Sequence, residues 1–162
     1  MKIPDRIQSK IIERKNISSF KRDHAIRPLV FTNGCFDLIH PGHVSYLMKA
    51  RELGNFLWIG LNTDSSVKKL KGEKRPINDE VTRAILIASL FFVDAVTLFD
   101  EDNPITLLEE IHPDIHVKGG DYKKEDLVEY NAVIDFGGRV EILSYIEGAS
   151  TTNLIKKIKD NN

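Results

Sequence analysis

From Leu29 onward, short apolar runs alternate with amphipathic stretches. Leu29–Thr32, Phe56–Leu61, Ala95–Phe99, Ile115–Val117 and Val140–Leu143 each predict a buried strand, because a strand covered on both faces reads as a nearly continuous apolar run. Between them lie helical patterns. Val44–Leu53 repeats Val44, Leu47, Met48 and Arg51 on successive turns and stops at Gly54. Asp64 caps a short helix through Val67. Asn78 caps a helix over 79–90 whose apolar set is Ala84, Ile85, Ile87, Ala88 and Leu90. Pro104 sits in the first turn of a helix over 104–111. Residues 124–134 are helical or irregular, and a last helix covers 152–159.

Strands alternating with helices imply an α/β fold: a Rossmann-like, doubly wound, five-stranded parallel sheet with helices on both faces and right-handed crossovers. In such sheets ligands bind beyond the C-terminal ends of the strands. The polar and glycine-rich segments 33–43, 62–64, 118–122 and 144–152 fall at that edge. Residues 1–28 differ, with eight basic residues against three acids. Ile3, Ile7, Ile11 and Ile12 recur at helical spacing, so a short amphipathic helix is expected near 4–14, with a second opening at Ile17. The chain therefore divides into a basic N-terminal helical arm, 1–28, and a main domain, 29–162. The arm either packs on the main fold or forms a homodimer.

Composition narrows the classes. A chain of 162 residues with 41% hydrophobic and 29% charged residues suits one folded domain with a single core. A net charge of −1 gives no reason to expect nucleic acid or an anionic membrane as partner. There is no apolar run long enough to span a bilayer and no signal-peptide pattern. The single cysteine, Cys35, excludes an internal disulfide and fits a reducing cytoplasm.

The candidate chemistry centres on Val30 to His43. A strand breaks at Asn33-Gly34, recovers with Phe36 and Asp37, and closes with His40 and His43 around Pro41-Gly42. As metal ligands the two histidines lack a third partner of suitable type, so no metal site is expected. Against a polyphosphate they can donate hydrogen bonds as charge builds on the phosphoryl oxygens. The following helix N-terminus adds N–H groups and partial positive charge, and Gly42 allows close approach. Cys35 reads as a small buried residue. Lys71 and Arg75 stand in a basic loop, either solvated or gripping phosphate. Lys118, Gly119, Gly120 and Asp121 follow a strand, where Lys118 would reach a phosphate. Ser150, Thr151 and Thr152 open the last helix as cap or phosphate donors. Asn62 and Asp64 end the second strand. Arg83 lies one turn after Asp79, which would make an exposed ion pair.

Gly34-Cys35-Phe36-Asp37-Leu38-Ile39-His40-Pro41-Gly42-His43 resembles the G-x-F-D-x-x-H-x-G-H signature of cytidylyltransferase-like nucleotidyltransferases. Together with Lys71-Gly72, Arg75-Pro76, Val117 to Tyr122 and Gly148 to Ile158, the chain looks like the adenylyltransferases of ADP-heptose synthesis. Those enzymes join ATP and D-glycero-D-manno-heptose 1-phosphate to give ADP-heptose and pyrophosphate, usually with Mg²⁺. Nothing in the chain resembles the sugar kinase to which they are often fused, so the stand-alone form is expected. The resemblance implies that His40 and His43 contact the triphosphate, and that Lys71 and Lys118 act with them. Thr32, Asn33, Gly34, Cys35 and Phe36 would wall the nucleotide pocket. Asp37 would orient a turn or touch the sugar phosphate or ribose, Asp121 would face ribose hydroxyls or a metal-bound water, and Arg83 would point at the site. Two positions depart from the pattern. Tyr145 stands where cytidylyltransferases carry a phosphate-binding Arg, and Val128-Glu129 replaces a common Val-Gly. Another small phosphate as acceptor, or a non-catalytic nucleotide-binding module, are the competing expectations.

Overall fold

In the computed structural model, residues 3–24, 26–144 and 151–160 are described. Five strands, β1 (Leu29–Gly34), β2 (Phe56–Asn62), β3 (Ala95–Phe99), β4 (Ile115–Gly119) and β5 (Arg139–Leu143), form one parallel sheet in the order β3-β2-β1-β4-β5. The helices are α1 (Asp5–Gln8), α2 (Ile17–Asp23), α3 (Pro41–Arg51), α4 (Asp64–Lys71), α5 (Glu80–Ala88), α6 (Ile105–Ile111), α7 (Tyr130–Asp135) and α8 (Thr151–Asp160). The doubly wound parallel sheet expected from the pattern is the fold observed.

Successive strand residues point to opposite faces, and two cores result. Val30, Leu57, Ile59, Val96, Ile115 and Val117 pack under α3 and α5 through Leu47, Ala50, Ala84 and Ile87. Leu29, Phe31, Trp58 and Ala95 pack on the other face against α2, α6 and α7 through Ile17, Leu107, Leu108, Ile111 and Val133. Among the described residues no helix is long and apolar enough to cross a membrane.

Several boundaries differ from the sequence pattern, each for a local reason. The helix expected near 4–14 ends at Gln8, because Lys10–Ile12 runs extended along β3 instead. There Ile12 N donates to Val96 O (2.8 Å) and Val96 N to Lys10 O (2.8 Å). The Lys10 ammonium also donates to the carbonyls of Val93 (2.6 Å) and Leu90 (3.3 Å), just past α5. Helix α3 begins at Pro41 rather than Val44, since proline is pre-shaped for the first helical position and His40 caps the turn. Lys68 to Lys71 belong to α4 rather than to a loop, and Thr63, not Asp64, is its cap. Asp79 rather than Asn78 caps α5, accepting from Thr82 N at 2.7 Å, because Asn78 is drawn to Asp37. In 124–134 a 3₁₀ turn at Lys124–Asp126 precedes α7.

His116 breaks the apolar pattern of β4. It is fully buried on the α6 face, with its ring 5.6 Å from that of Phe31. Burial, with the Lys118 charge adding, pushes its pKa from 6.5 down to about 3. The unfolded chain takes up this proton near pH 6.5 and the folded chain only near pH 3, so stability falls as pH drops through that window. Between pH 7 and pH 5, His116 should cost about 2 kcal/mol of unfolding free energy. Urea unfolding at a series of pH values should show that share of the slope vanish in His116→Phe; an unchanged slope would refute the assignment.

Candidate active site

The winding direction of the sheet reverses between β1 and β4, and these two strands pair only at Val30–Ile115 and Phe31–His116. Beyond that point they part. The gap is bridged by Tyr46 of α3, whose hydroxyl donates to Val117 O (3.0 Å) and lies 2.7 Å from the Thr32 hydroxyl. With the tyrosine proton on Val117, Thr32 is the donor to Tyr46. A cleft of about 630 Å³ opens above, at the C-terminal ends of β1, β2 and β4.

His40 and His43 stand at the start of α3. Their rings stack, with centroids 3.7 Å apart, and Phe36 meets His43 edge-on at 5.2 Å. His40 Nδ1 accepts from the His43 backbone N–H (3.4 Å), so the neutral ring carries its proton on Nε2. Burial lowers the pKa of both rings. His43 falls to about 4, with His40 and Lys71 adding to the shift and a hydrogen bond to the Leu38 carbonyl opposing it. Both imidazoles are therefore neutral N–H donors at neutral pH. Phe36 takes the left-handed backbone region (φ 44°), which lays its ring against Gly34 and His43 and swings Asp37 the other way. A Cβ on Gly34 would come within 3.1 Å of that ring.

Asp37 is buried and holds the segment between α4 and α5. Its carboxylate accepts from Ile77 N (2.8 Å), Asn78 N (3.1 Å) and Arg75 Nε (2.6 Å), while Asn78 Nδ2 donates to Asp37 O (2.9 Å). Of the two roles open to Asp37, orienting a turn is the one the geometry displays. Arg83 makes no exposed pair with Asp79. Its guanidinium is fully buried and donates to Cys35 O (2.7 Å), Asn78 O (3.1 Å) and Asp64 Oδ1 (2.8 Å). Arg83 and Asp37 thus tie the loop after β1 to the start of α5.

Lys118 projects from the end of β4 into the cleft, where it donates to Asn33 Oδ1 (3.0 Å) and pairs with the nearly buried Glu129 (2.6 Å). Lys71, at the exposed end of α4, lines the opposite wall. Cys35 lies between, and burial raises its thiol pKa, which keeps it protonated and unreactive. Asn62 is buried beside it, donating to Ser66 Oγ (2.9 Å).

Of the residues singled out in sequence, Asn33, Gly34, Cys35, Phe36, His43, Asn62, Lys71, Lys118 and Gly119 line one cleft. Thr32, Asp37, Asp64, Arg75 and Arg83 stand behind it as supports, through the bonds described above. Gly42 is buried within α3. His40 borders a second, mostly apolar groove of about 810 Å³ along α3. Asp121 is exposed. Thr151 Oγ1 reaches Leu38 O at 3.5 Å, and Thr152 is in the first turn of α8. Ser150 and the departure at Tyr145 lie outside the described residues. Sequence reading missed Tyr46, whose only signal was its place one turn after His43, and gave no role to Tyr122, the last residue of the Lys118 motif, which also lines the cleft. Glu129 stood out only as a departure from a family pattern. Among the described residues no three His, Cys, Asp or Glu side chains are grouped to hold a metal. Of the two carboxylates among the described residues that line the cleft, Glu129 is engaged by Lys118 and Asp126 is exposed, while Asp37 and Asp64 behind it are held by Arg75 and Arg83.

Known proteins resemble this chain in sequence and in fold. The family model described as cytidylyltransferase-like matches residues 31–157. The bifunctional protein HldE of Geobacter metallireducens is 53% identical over 132 residues, 82% of this chain but 27% of its own length. The chain thus spans about a quarter of the curated relatives it matches. A lipopolysaccharide core biosynthesis protein from Thermoplasma volcanium superimposes with a TM-score of 0.61 at 29% identity, covering 75% of this chain and 98% of that one. A pantoate-beta-alanine ligase from Francisella tularensis shares the fold at 15% identity, with a TM-score of 0.60 over 92% of this chain and 76% of its own.

Removing one partner of a buried ion pair costs about 3 kcal/mol. Asp37→Ala should lower unfolding stability by about that much and leave the amides of Ile77 and Asn78 unprotected. Hydrogen exchange at these two amides is the specific check, and wild-type protection in the variant would show that Asp37 does not hold the loop.

Proposed function

The chain belongs to the cytidylyltransferase-like family of nucleotidyltransferases, and from that premise we propose that it is an ATP-dependent adenylyltransferase acting on a sugar phosphate, specifically D-glycero-D-manno-heptose 1-phosphate. The observation that carries the reaction class is the convergence of the neutral His43, Lys71 and Lys118 on one cleft at the switch point of the sheet, with His40 stacked on His43 at the N-terminus of α3. The choice of nucleotide and sugar is supported by the 53% identity to bifunctional HldE and by the Lys118 to Tyr122 motif.

An oxygen of the sugar phosphate attacks the α-phosphorus of ATP directly. The bond to the bridging oxygen breaks, and pyrophosphate leaves with that electron pair, so no covalent enzyme intermediate is needed. The protein supplies placement and charge neutralisation. His40 donates through Nε2–H, and His43 donates beside it from within the first turn of α3, where backbone N–H groups also face incoming phosphate. Neutral imidazoles suit this role, because each donates a hydrogen bond without placing a full charge on the ground state. Lys118 would hold the α-phosphate side, and Lys71, at the exposed end of α4, the leaving pyrophosphate or the sugar phosphate. Magnesium would enter as the counter-ion of the nucleotide phosphates, which suits a site where no carboxylates are grouped to hold a metal among the described residues.

The test is pyrophosphate release with ATP or CTP across heptose 1-phosphate, other sugar 1-phosphates and glycerol 3-phosphate. Turnover confined to ATP with heptose 1-phosphate is expected; turnover of CTP with ATP ignored would refute the assignment. His43→Ala should lower kcat about 100-fold or more while changing the KM for ATP less, as expected of a donor that acts on the transition state. An equal loss of ATP affinity with unchanged kcat would make His43 a binding group only.

A further inference from the structure

We propose that Glu129 reads a sugar hydroxyl in the cleft and so acts as a specificity-determining residue, an inference that rests on the adenylyl-transfer reading for its substrates. Glu129 precedes α7 and lines the cleft with only 3% of its surface exposed. One carboxylate oxygen, Oε1, takes the Lys118 ammonium at 2.6 Å. The other has no hydrogen-bond partner among the described residues, yet is not sealed from solvent-sized space.

An ionised carboxylate accepts hydrogen bonds and cannot donate them. Whatever ligand atom meets the open oxygen must therefore be a donor. Phosphate oxygens are acceptors and carry like charge, so they are excluded from that spot. Lys118 fixes the scale: its ammonium is the phosphate-seeking group, and Glu129 touches it directly. The donor must then sit next to a phosphate in the ligand. In both proposed substrates that neighbour is a hydroxyl-bearing ring, the ribose of the nucleotide or the ring of the sugar phosphate. The Asn33 amide oxygen on the far side of the ammonium (3.0 Å) keeps Lys118 from swinging away, so the carboxylate is held in register with it. A carboxylate this deeply buried would be costly as a bystander, and a glycine at this place would leave Lys118 only Asn33 as a partner among the described residues.

The two sources of the hydroxyl are separated by analogues. Using the full chain, kcat/KM for pyrophosphate release and affinity by calorimetry are measured for wild type, Glu129→Ala and Glu129→Gln. The ligands are ATP, 2′-deoxy-ATP, 3′-deoxy-ATP and inosine triphosphate, and sugar 1-phosphates with and without the hydroxyl beside the phosphorylated carbon. Wild type should reject one deoxy analogue by about 10- to 100-fold, the range of a hydrogen bond to a charged group. In Glu129→Ala that rejection should collapse to near parity while the others persist. Collapse for a deoxy-ATP assigns the ribose, and collapse for the deoxy sugar phosphate assigns the acceptor; either supports the proposal.

If Glu129→Ala does not fold, Glu129→Gln preserves shape and an acceptor for Lys118, and should show the same collapse in smaller degree. Rejection unchanged in the variants, with all substrates weakened equally, would reduce Glu129 to a counter-ion of Lys118 and overturn the proposal. Collapse only for inosine triphosphate would also overturn it, since the donor would then be the base. Should wild type release no pyrophosphate with any pair, the adenylyl-transfer reading fails on its own, and the calorimetric comparison still decides Glu129.

Discussion

All five strands run the same way, so every loop that follows a strand emerges at one edge of the sheet. Within that edge, β1 and β4 come from opposite halves of the winding and stay paired for only two residues. The separation would leave backbone groups of both strands without ladder partners. The Tyr46 hydroxyl compensates by joining Val117 O to Thr32, and it comes from the helix that carries the two histidines. The width of the cleft, the pitch of α3 and the position of the imidazoles are thus fixed by one wedge. A side chain without a hydroxyl at position 46 would leave a buried carbonyl unsatisfied directly beneath the cleft.

Around this gap the charges are organised in pairs rather than scattered. Arg75 is engaged by Asp37, Arg83 by Asp64, and Lys118 by Glu129. Two of the three cations serve structure first, locking the loop after β1 to the entry of α5. In the proposed reaction that leaves the polyanion to be met by neutral N–H donors, backbone amides and lysines at the cleft wall. Such a site gains attraction for phosphate without a dense block of uncompensated positive charge, which would destabilise the empty fold.

The strands were legible because both faces of a parallel sheet are covered, and Ala95–Phe99 coincides with its expected bounds. The G-x-F-D-x-x-H-x-G-H stretch was legible because its residues are contiguous. What escaped were relations between distant segments. Nothing near Asp37 says that its partners are Arg75, Ile77 and Asn78, or that Asn78 would thereby lose the cap of α5 to Asp79. Arg83 has the spacing of a surface pair with Asp79, yet it faces inward because three acceptors converge on it from other elements. His116 reads as an interruption in an apolar run, and only burial reveals it as an acid-sensitive point. The N-terminal isoleucines have helical spacing, but Ile11 and Ile12 gain more by lying along β3 than by continuing a short exposed helix.

That last arrangement has a consequence for the behaviour of many molecules together. The outer margin of β3 is the strand Ala95-Val96-Thr97-Leu98-Phe99, which is uncharged, free of proline and rich in β-branched and aromatic residues. Such a sequence is a template for strand addition between chains when its backbone is open. Lys10 and Ile12 occupy the Val96 amide and carbonyl, and the Ile12 carbonyl accepts from Thr97 Oγ1 at 2.9 Å. The segment Lys10 to Ile12 is therefore a cover for an adhesive margin, anchored by the Lys10 ammonium on Leu90 and Val93 and by Arg14 on Glu101 and Glu110. Peeled back or clipped away, it would leave the Val96 amide and carbonyl open to strand addition from another copy.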